Sequence, residues 1–523
     1  MKNLDNTLKT ILIIAIIIII NLISLQIFTR IDITKGKKYS ISKYSKNLVG
    51  NLKDKLTIKA FFTPNIPSPY NKLERDVKDK LEEYKAFANR YFQFEFVKDK
   101  DKEKFVQEAS RYGIPEVRVN AIEKDEAVIK NVNMGLVIMY EDRTETIPVI
   151  EGTQNLEYDI SAKINKLIKK NLPEVGFLQG HGELDFENKL QNIKKQLEAN
   201  YELKAINLAE NKTALEDAEV LVIAAPKSKI PLDEQYAIDQ FIMKGKKVLF
   251  MMDNVEADIQ TQPPKAEFYP NDMNLWFANY GFKINRDLVY DAQSQNVQVQ
   301  QVINNRRHIS FMRYPFFIQV ADFNKTNLIV KNLNPITLFF ASSVDTSFAA
   351  EKGIRTIKLA SSSKRSGLQD GRLNIAAQRN TNLKYAKQNI LLAALLTGNF
   401  SSYFSDKSLP DSLNIDTSGM IRDGSESRLL AIGNAQFISD DYLSQSNALF
   451  FANSIDWMAQ EKGLIQIRSK NIVAPKLDDI SVGAKSTIKF IIRFLPTILI
   501  ILFGIIMWQN KKRRYKRFGR FMQ

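Results

Sequence analysis

The first patterned stretch of the chain alternates strand-like and helix-like runs. Residues 56–63, LTIKAFFT, alternate apolar and polar positions, which is typical of a strand with one buried face. Leu73, Val77, Leu81 and Tyr84 then recur at helical spacing. A second strand (FQFEFVKD), a second helix (KFVQEASRYGI) and a hairpin from MGLVIMYED to TETIPVI follow. The order β-α-β-α-β-β predicts a small α/β domain over residues 38–150.

This order is typical of a thioredoxin-like unit. Redox activity in such a unit depends on cysteines, so the sequence shows whether it can occur here. A redox member would carry two cysteines after the first strand, where this chain reads TPNIPSPY. The whole chain contains no cysteine. Thiol chemistry, disulfides and thiolate metal sites are therefore excluded.

A second α/β domain is predicted over residues 174–465, after a connecting helix within 151–173. Leu156, Ile160, Ile164 and Leu167 give that helix one apolar face. The strands EVGFLQG, YELKAINL, AEVLVIAAP and KKVLFMMD then alternate with two helices, of which the second begins at Pro231 and ends at Gly245. Strands this apolar indicate a parallel sheet covered on both faces. We predict a flavodoxin-like or amidotransferase-like doubly wound domain.

The pattern within this domain is irregular from about 254 to 425, which predicts an insertion. QTQPPK and RSGLQDGRLNIAAQRNTN are typical of loops. RHISFMRYPFFIQV, LNPITLFFASS, GIRTIKLASSS and QNILLAALLTG are typical of strands. The later strand in SRLLAIGNAQFISD is expected to return to the same sheet, and SNALFFANSIDWMAQ to form an apolar helix.

Two apolar segments predict membrane anchors. Ile11 to Phe28 carries no charge, and 18 residues of helix span about 27 Å, close to a ~30 Å hydrocarbon core. No small-residue cleavage site follows it, which argues against a signal peptide. Ile488 to Trp508 is the second segment, after a linker over 466–487.

The charge distribution orients these segments. The chain carries a formal net charge of +16, and residues 509–523 hold seven basic side chains and no acid. Positive-inside bias places this tail in the cytoplasm, and two spans place residues 1–10 there too. We predict an inner-membrane protein with both termini cytoplasmic and a large periplasmic domain. A buried core helix is the alternative for the second segment.

The sequence VGFLQGHGELDF, residues 175–186, contains the turn with the strongest candidate functional residues, Gly180-His181-Gly182-Glu183. As a dinucleotide fingerprint it fails, because Asp185 stands where the third glycine belongs. A zinc site would need more ligands, and the only other histidine is His308. The remaining interpretations are a structural turn with Glu183 or Asp185 at a helix start, a ligand or partner contact at Gln179, Gly180, His181, Gly182 and Glu183, or catalysis by His181 or Glu183.

Other predicted strand ends would lie at the same edge of the sheet. They are Ala225-Pro226, Asp253, and the segment from Asn434 to Gln436. We predict Asp253, Asn434 and Gln436 as further ligand- or partner-binding candidates. No catalytic residue, metal site or cofactor is expected, and no ATP-binding motif occurs.

These parts together resemble the GldG family. The features that carry the resemblance are the N-terminal anchor, the thioredoxin-like unit, VGFLQGHGELDF, LLAIGNAQFISDD and the C-terminal span with its basic tail. The α/β domain is also similar to one in an intraflagellar transport protein. The resemblance implies an auxiliary subunit of an ABC transporter, in a family associated with gliding motility in Bacteroidota and also present in bacteria that do not glide.

The resemblance also implies the partners, which would be a GldF-like permease and a GldA-like cytoplasmic ATPase. The leading hypothesis is thus a non-catalytic, membrane-anchored auxiliary subunit of an ABC complex. A tethered periplasmic solute- or glycan-binding module and a periplasmic hydrolase are the alternatives. No nucleic acid is expected as a partner.

Overall fold

The computed structural model describes residues 40–98, 101–123, 126–169, 171–261, 263–303, 306–376, 383–406, 418–459, 463–465, 467 and parts of 487–509. The chain forms two compact units, Met1–Ile472 and Val473–Gln523.

The first domain of the larger unit contains a four-stranded sheet and a separate hairpin. Its elements are α1 (Lys43–Gly50), β1 (Leu56–Phe62), α2 (Leu73–Phe87), β2 (Phe92–Val97), α3 (Lys102–Arg111), β3 (Val117–Glu123), β4 (Glu126–Val132), β5 (Met134–Tyr140), β6 (Arg143–Ile147) and α4 (Leu156–Ile168).

The sheet has the order β2-β1-β5-β6. Strand β1 is parallel to β2 and antiparallel to β5, and β5 forms a hairpin with β6. The predicted β-α-β-α-β-β order is confirmed, with the hairpin β3–β4 inserted before β5. Helix α2 buries Leu73, Val77, Leu81 and Tyr84, as its apolar spacing predicts.

Helix α4 belongs to the core of this domain instead of serving only as a connector. Its four apolar positions pack in the same buried cluster as β1 and β5. On another face Tyr158 and Ala162 pack with Tyr44 of α1 and with Leu464 and Ile467, near the end of the larger unit. The first and last described segments of that unit therefore meet on α4.

A buried polar network fixes α1 against α4. The Glu157 carboxylate accepts the Ser42 backbone N–H at 2.6 Å and the Ser45 hydroxyl at 2.8 Å. Ser161 lies 2.7 Å from the Tyr84 hydroxyl. Because these groups are buried, losing one partner would leave another polar group unsatisfied, which costs more than the bond itself contributes.

The second domain begins at β7. Its elements are β7 (Glu174–Leu178), α5 (Gln191–Leu197), β8 (Glu202–Ile206), β9 (Ala218–Ala224), α6 (Leu232–Met243), β10 (Lys247–Met251), β11 (Val255–Asp258), β12 (Lys265–Phe268), α7 (Asn274–Asn279), β13 (Lys283–Ile284), β14 (Leu288–Asp291), β15 (Ser294–Ile303), β16 (Arg306–Val320), β17 (Asp322–Phe323), β18 (Ile336–Phe339), β19 (Val344–Asp345), β20 (Arg355–Ser361), β21 (Ser366–Gln369), β22 (Leu391–Ser401), β23 (Asp423–Ile432) and α8 (Gln445–Met458).

An eight-stranded sheet of order β17-β20-β22-β23-β10-β9-β7-β8 forms its centre. The five strands from β23 to β8 are parallel, in the sequential order 2-1-3-4-5. The return of β23 to this sheet is confirmed by its pairing with β10. The expectation of a parallel sheet is correct only for this half, because β22, β20 and β17 extend it in antiparallel fashion.

The predicted insertion over 254–425 therefore contributes strands to the central sheet and also forms smaller sheets beside it. The four strands predicted within it are present as β16, β18, β20 and β22. One predicted loop contains a strand, since β21 pairs with β14. Short segments such as SGLQ lack the length and the apolar alternation that mark a strand in sequence, so only their pairing reveals them.

The smaller unit contains the second predicted membrane segment, which is helical where it is described. The described residues include no helix that is both long enough and apolar enough to cross a membrane. The first predicted segment, 11–28, and most of the linker and basic tail lie outside the described residues.

Candidate functional site

The turn after β7 lies where the strand order of the sheet reverses. Its two glycines have positive φ angles, 123° at Gly180 and 81° at Gly182, which side chains other than glycine rarely adopt. The segment after β9, the neighbouring strand in the sheet, contacts the turn, because Lys227 donates its backbone N–H to the His181 carbonyl at 2.9 Å. The Leu184 N–H in turn donates to the Ala224 carbonyl at 3.0 Å.

His181 is held between two carboxylates. Its Nδ1 lies 3.0 Å from Glu183 Oε1, and its backbone N–H donates to Glu183 Oε2 at 2.7 Å. Its Nε2 lies 3.3 Å from the carboxylate of Glu234, in the first turn of α6. Only 8% of His181 is exposed. The imidazole therefore joins the turn to a helix 53 residues further along the chain.

The predicted helix start at Glu183 or Asp185 is wrong. Helix α5 begins at Gln191, and its first backbone N–H groups donate to Asp440 at 2.8 and 3.0 Å. Asp185 instead accepts from the N–H groups of Glu187 and Asn188 in the preceding turn. The carboxylate that caps the helix comes from a distant segment, which local spacing could not show.

The charges around His181 favour the imidazolium form. The hydrogen bond with Glu183 raises the pKa of His181 above its usual 6.5, and the charges of Glu183 and Glu234 act in the same direction against the effect of burial. Burial raises the pKa of Glu234, although the His181 charge opposes this. Within the described residues no group of three or more His, Cys, Asp or Glu side chains could hold a metal ion.

This arrangement stabilises the turn directly. Both ring nitrogens of His181 face a carboxylate, so neither is directed at open solvent. Gln179 also turns inward, because its amide donates to the Leu184 carbonyl at 3.1 Å and accepts from the Phe186 N–H at 3.3 Å. The contacts of the predicted site residues at this turn are thus with the protein itself.

A pH dependence of stability follows from the raised pKa of His181. Because the folded state binds the proton more tightly than the unfolded state, this contribution is fully present below about pH 6.5 and is lost as the pH rises through the folded pKa. We expect the wild-type Tm to fall between pH 6 and pH 9 relative to that of His181→Gln. Equal slopes of Tm against pH for the two proteins would contradict the imidazolium assignment.

The other three predicted residues meet in a second cluster, at the carboxyl ends of β10 and β23. Asp253 Oδ1 accepts the Asn434 side-chain amide at 2.8 Å and the Ala435 N–H at 2.7 Å. Burial raises the pKa of Asp253, whereas hydrogen bonds from Ala435, Gln436 and Asn434 oppose that rise. Asn434 also donates to the Phe339 carbonyl at 2.8 Å and so reaches β18.

Asn271 joins the end of β9 to the end of β10, which sequence analysis missed. Its side-chain amide donates to the Pro226 carbonyl at 2.7 Å and to the Asp253 carbonyl at 3.0 Å. Glu234 is the other residue that was missed. Neither residue lies in a recognisable motif. Glu234 lies in α6 and Asn271 between β12 and α7, and tertiary contacts bring them beside the predicted residues.

Comparison with known proteins identifies the family. Residues 172–461, more than half of the chain, match the family described as ABC-type uncharacterized transport system. The chain belongs to this ABC transport auxiliary family. Both clusters at the sheet edge lie within the matched residues, and the family gives the chain an accessory role in an ABC transport system. Residues 35–139 match a domain of unknown function.

Two similar proteins extend the comparison of this auxiliary chain. An uncharacterized protein of Borreliella burgdorferi is 24% identical over 546 aligned positions, which cover 98% of this chain and 100% of that protein. The mmIFT52 N-terminal domain aligns with 13% identity and a TM-score of 0.33, over 54% of this chain and 96% of that domain. At that TM-score the likeness carries no weight for the fold or the function.

Proposed function

We propose that this chain is a non-catalytic, membrane-anchored auxiliary subunit that couples an ABC permease and ATPase to a periplasmic domain. The family match over residues 172–461 is the observation that carries this proposal. The chain has no ATP-binding motif, so a partner must hydrolyse the nucleotide. A GldF-like permease and a GldA-like ATPase are the proposed partners, and gliding motility is the process proposed for the complex.

The non-catalytic assignment draws support from the turn at His181. A general base must reach the proton it removes, within about 3 Å or through one water. His181 is instead engaged by two carboxylates of its own chain and is largely buried. The turn is proposed as a structural element that keeps the ends of β7 and β9 together.

The coupling proposal predicts that the periplasmic domain moves relative to the permease during the ATPase cycle. ATP binding by the partner would move the two anchors and reorient the periplasmic domain. A single spectroscopic label can be introduced cleanly, because the chain has no cysteine of its own. If the distance from a label at Ser110→Cys to the permease stayed constant through nucleotide binding and hydrolysis, the coupling mechanism would be wrong.

Two helical membrane anchors remain part of the proposal. The described part of residues 488–509 exposes large apolar side chains, including Phe490 at 62%, Ile500 at 72% and Phe503 at 65%. A helix with this surface favours an apolar environment. In the larger unit, Tyr44 and Gly463 lie so close that a Cβ on Gly463 would overlap the Tyr44 ring. The first and last described segments of this unit therefore lie next to each other. This is the arrangement that two neighbouring anchors would require.

The contact between Tyr44 and Gly463 predicts a disulfide in a double variant. Removing the tyrosine ring while adding a Cβ at Gly463 should bring two cysteines within the spacing of about 3.5–4.5 Å between Cβ atoms that a disulfide needs. We expect Tyr44→Cys with Gly463→Cys to cross-link under mild oxidation, seen as a mobility shift on non-reducing gels. Tyr44→Cys with Ser110→Cys, which leaves Gly463 unchanged, is the control and should stay reduced. A shift in neither pair would contradict the meeting of these segments.

The proposed topology predicts opposite labelling of two single cysteines. Ser110 is exposed on the first domain, and Gln523 ends the basic tail. In intact spheroplasts, a membrane-impermeant maleimide should label Ser110→Cys and should label Gln523→Cys only after the membrane is permeabilised. Labelling of both sites before permeabilisation would contradict cytoplasmic placement of the tail.

The finer fold assignments are also proposals. The strand order and directions of the first sheet support a thioredoxin-like unit. The order 2-1-3-4-5 of the parallel strands supports a flavodoxin-like or amidotransferase-like core, extended by three antiparallel strands. A crystal structure of the larger unit with a different order of these strands would refute both.

A tethered solute- or glycan-binding module is the second candidate function. One observation favours it, namely that the turn lies where the strand order reverses, between β7 and β9. Open α/β sheets bind ligands at such points. The test is a screen of solutes and glycans for binding to the protein. Saturable binding of one of them that is lost in His181→Ala but kept in Lys195→Ala would support this candidate. A screen that finds no saturable binding would remove it.

A further inference from the structure

Two stretches of the second domain carry many more basic than acidic residues. Residues 292–321 and 361–389 together contain nine Lys or Arg residues and a single acid, Asp370. An imbalance of this size creates a local positive potential that reaches about a Debye length into solution. Whether it forms one surface depends on how the fold places the two stretches.

The fold brings the two stretches side by side. Strand β14 pairs with β21, and the Ala292 N–H donates to the Arg365 carbonyl at 2.9 Å. The Arg313 guanidinium donates to the Ala292 carbonyl at 3.4 Å, so it contacts the same residue that bonds to Arg365. Lys387 exchanges two backbone hydrogen bonds with Ser366 at 2.9 Å each, next to Arg365.

The charged groups of this region are exposed, and an aromatic ring lies among them. We define the basic face as Arg313, Lys364, Arg365, Lys384 and Lys387, all of which are exposed. The Arg365 guanidinium lies 5.7 Å from the centre of the Tyr385 ring. That ring packs against Tyr290 at 5.5 Å, so the aromatic part of the surface is fixed to the core.

An exposed aromatic side chain adjoins the basic face. From Arg306 to Arg313, β16 pairs with β15 alone among the described strands, so the two form an arm. Phe311 is 72% exposed on this arm. It lies two residues from Arg313 and so points to the same side of the strand. Isolated exposed apolar residues are ordinary, but this one accompanies a cluster of cations.

We propose that the basic face binds the anionic phospholipid headgroups of the bilayer to which the chain is anchored, with Phe311 entering the interfacial layer. Clusters of Lys and Arg bind anionic lipid surfaces, and aromatic side chains prefer the interface between water and hydrocarbon. The mixture of cations with an exposed ring fits a lipid surface better than a soluble polyanion, which offers the ring no apolar layer. This inference rests on the proposed membrane attachment.

The test uses the full chain with Phe311→Cys, labelled with an environment-sensitive fluorophore and reconstituted into vesicles. Vesicles of phosphatidylcholine alone are compared with vesicles that also contain phosphatidylglycerol. We expect the emission to shift to the blue and to increase only with the anionic lipid, and the shift to be lost in high salt. The same emission in both kinds of vesicle would overturn the proposal.

Two further comparisons make the test specific. Adding Arg365→Glu and Lys387→Glu should abolish the shift, whereas Lys195→Glu with Lys229→Glu, two exposed lysines away from the basic face in sequence, should leave it. A shift produced by soluble polyglutamate on phosphatidylcholine vesicles would overturn the proposal in favour of a soluble polyanion. Failure of the membrane anchors is distinguishable by density-gradient flotation. A chain without working anchors would float with neither kind of vesicle.

Discussion

Replacing Asp253 with alanine is expected to lower the free energy of unfolding by about 2–4 kcal/mol. The buried carboxylate accepts the Asn434 side-chain amide and the Ala435 N–H, at 2.8 and 2.7 Å. Alanine would leave the Ala435 N–H and one of the two Asn434 amide N–H groups buried without an acceptor, while the other Asn434 N–H still donates to Phe339. The cost exceeds that of losing two ordinary hydrogen bonds, because desolvated donors would remain unpaired.

Two variants separate this effect from the loss of any aspartate. Asp253→Asn keeps one acceptor oxygen in the same place and should cost less than Asp253→Ala. Asp217 is exposed in the same domain, and Asp217→Ala should change stability by about 0.5 kcal/mol or less. Equal urea midpoints for Asp253→Ala and wild type would show that the cluster does not hold the ends of β10 and β23 together.

Gly433→Ala is expected to be similarly severe, at about 3 kcal/mol or more. A Cβ at this position would overlap the carbonyl oxygen of Ser342. That carbonyl cannot simply move aside, because the Ser342 N–H donates to the Gly433 carbonyl at 2.7 Å, and the Gly433 N–H donates to Leu392 at 3.0 Å. The strain therefore spreads to strand β22 and to the segment that follows β18.

The matched substitution is Gly371→Ala in the same domain. A Cβ on Gly371 would meet no atom within 4 Å, so this variant should unfold at nearly the wild-type temperature. A Gly433→Ala protein that unfolded at the same temperature as Gly371→Ala would contradict the close approach of these two backbone segments.

Periodicity predicted the regular elements of both domains because each buries one continuous apolar face. The helix with Leu73 and Val77 and the strand at 56–63 are examples, since their spacing alone determines which side is buried. The return of β23 to the sheet could be predicted for a similar reason, because its residues Leu429 to Ile432 are all apolar and all buried.

The candidate site was only half predictable. The turn at His181 and the cluster of Asp253, Asn434 and Gln436 follow strand ends, and such positions meet at one edge of a parallel sheet. Glu234 and Asn271 could not be found in this way, because each is an isolated polar residue in an ordinary segment. Their roles arise from tertiary contacts at 3.3 Å with His181 and at 2.7 Å with Pro226.

The antiparallel half of the sheet was missed for a different reason. The strands β20 and β22 were predicted, but nothing in an isolated strand says which neighbour it pairs with. Register and partner are set by packing across the sheet. The same limit explains why the basic face does not emerge from sequence alone, although its charges are visible there.

The measurement that tests the proposed function most directly is purification of the tagged full-length chain from its native membrane in mild detergent. The proteins that accompany it would be identified and quantified by mass spectrometry. We expect to recover an ABC permease and a cytoplasmic ATPase in fixed stoichiometry, and to recover them also with the stable Gly371→Ala variant. Recovery of the chain alone, or with cell-wall enzymes in place of a permease and ATPase, would contradict its role as a transporter subunit.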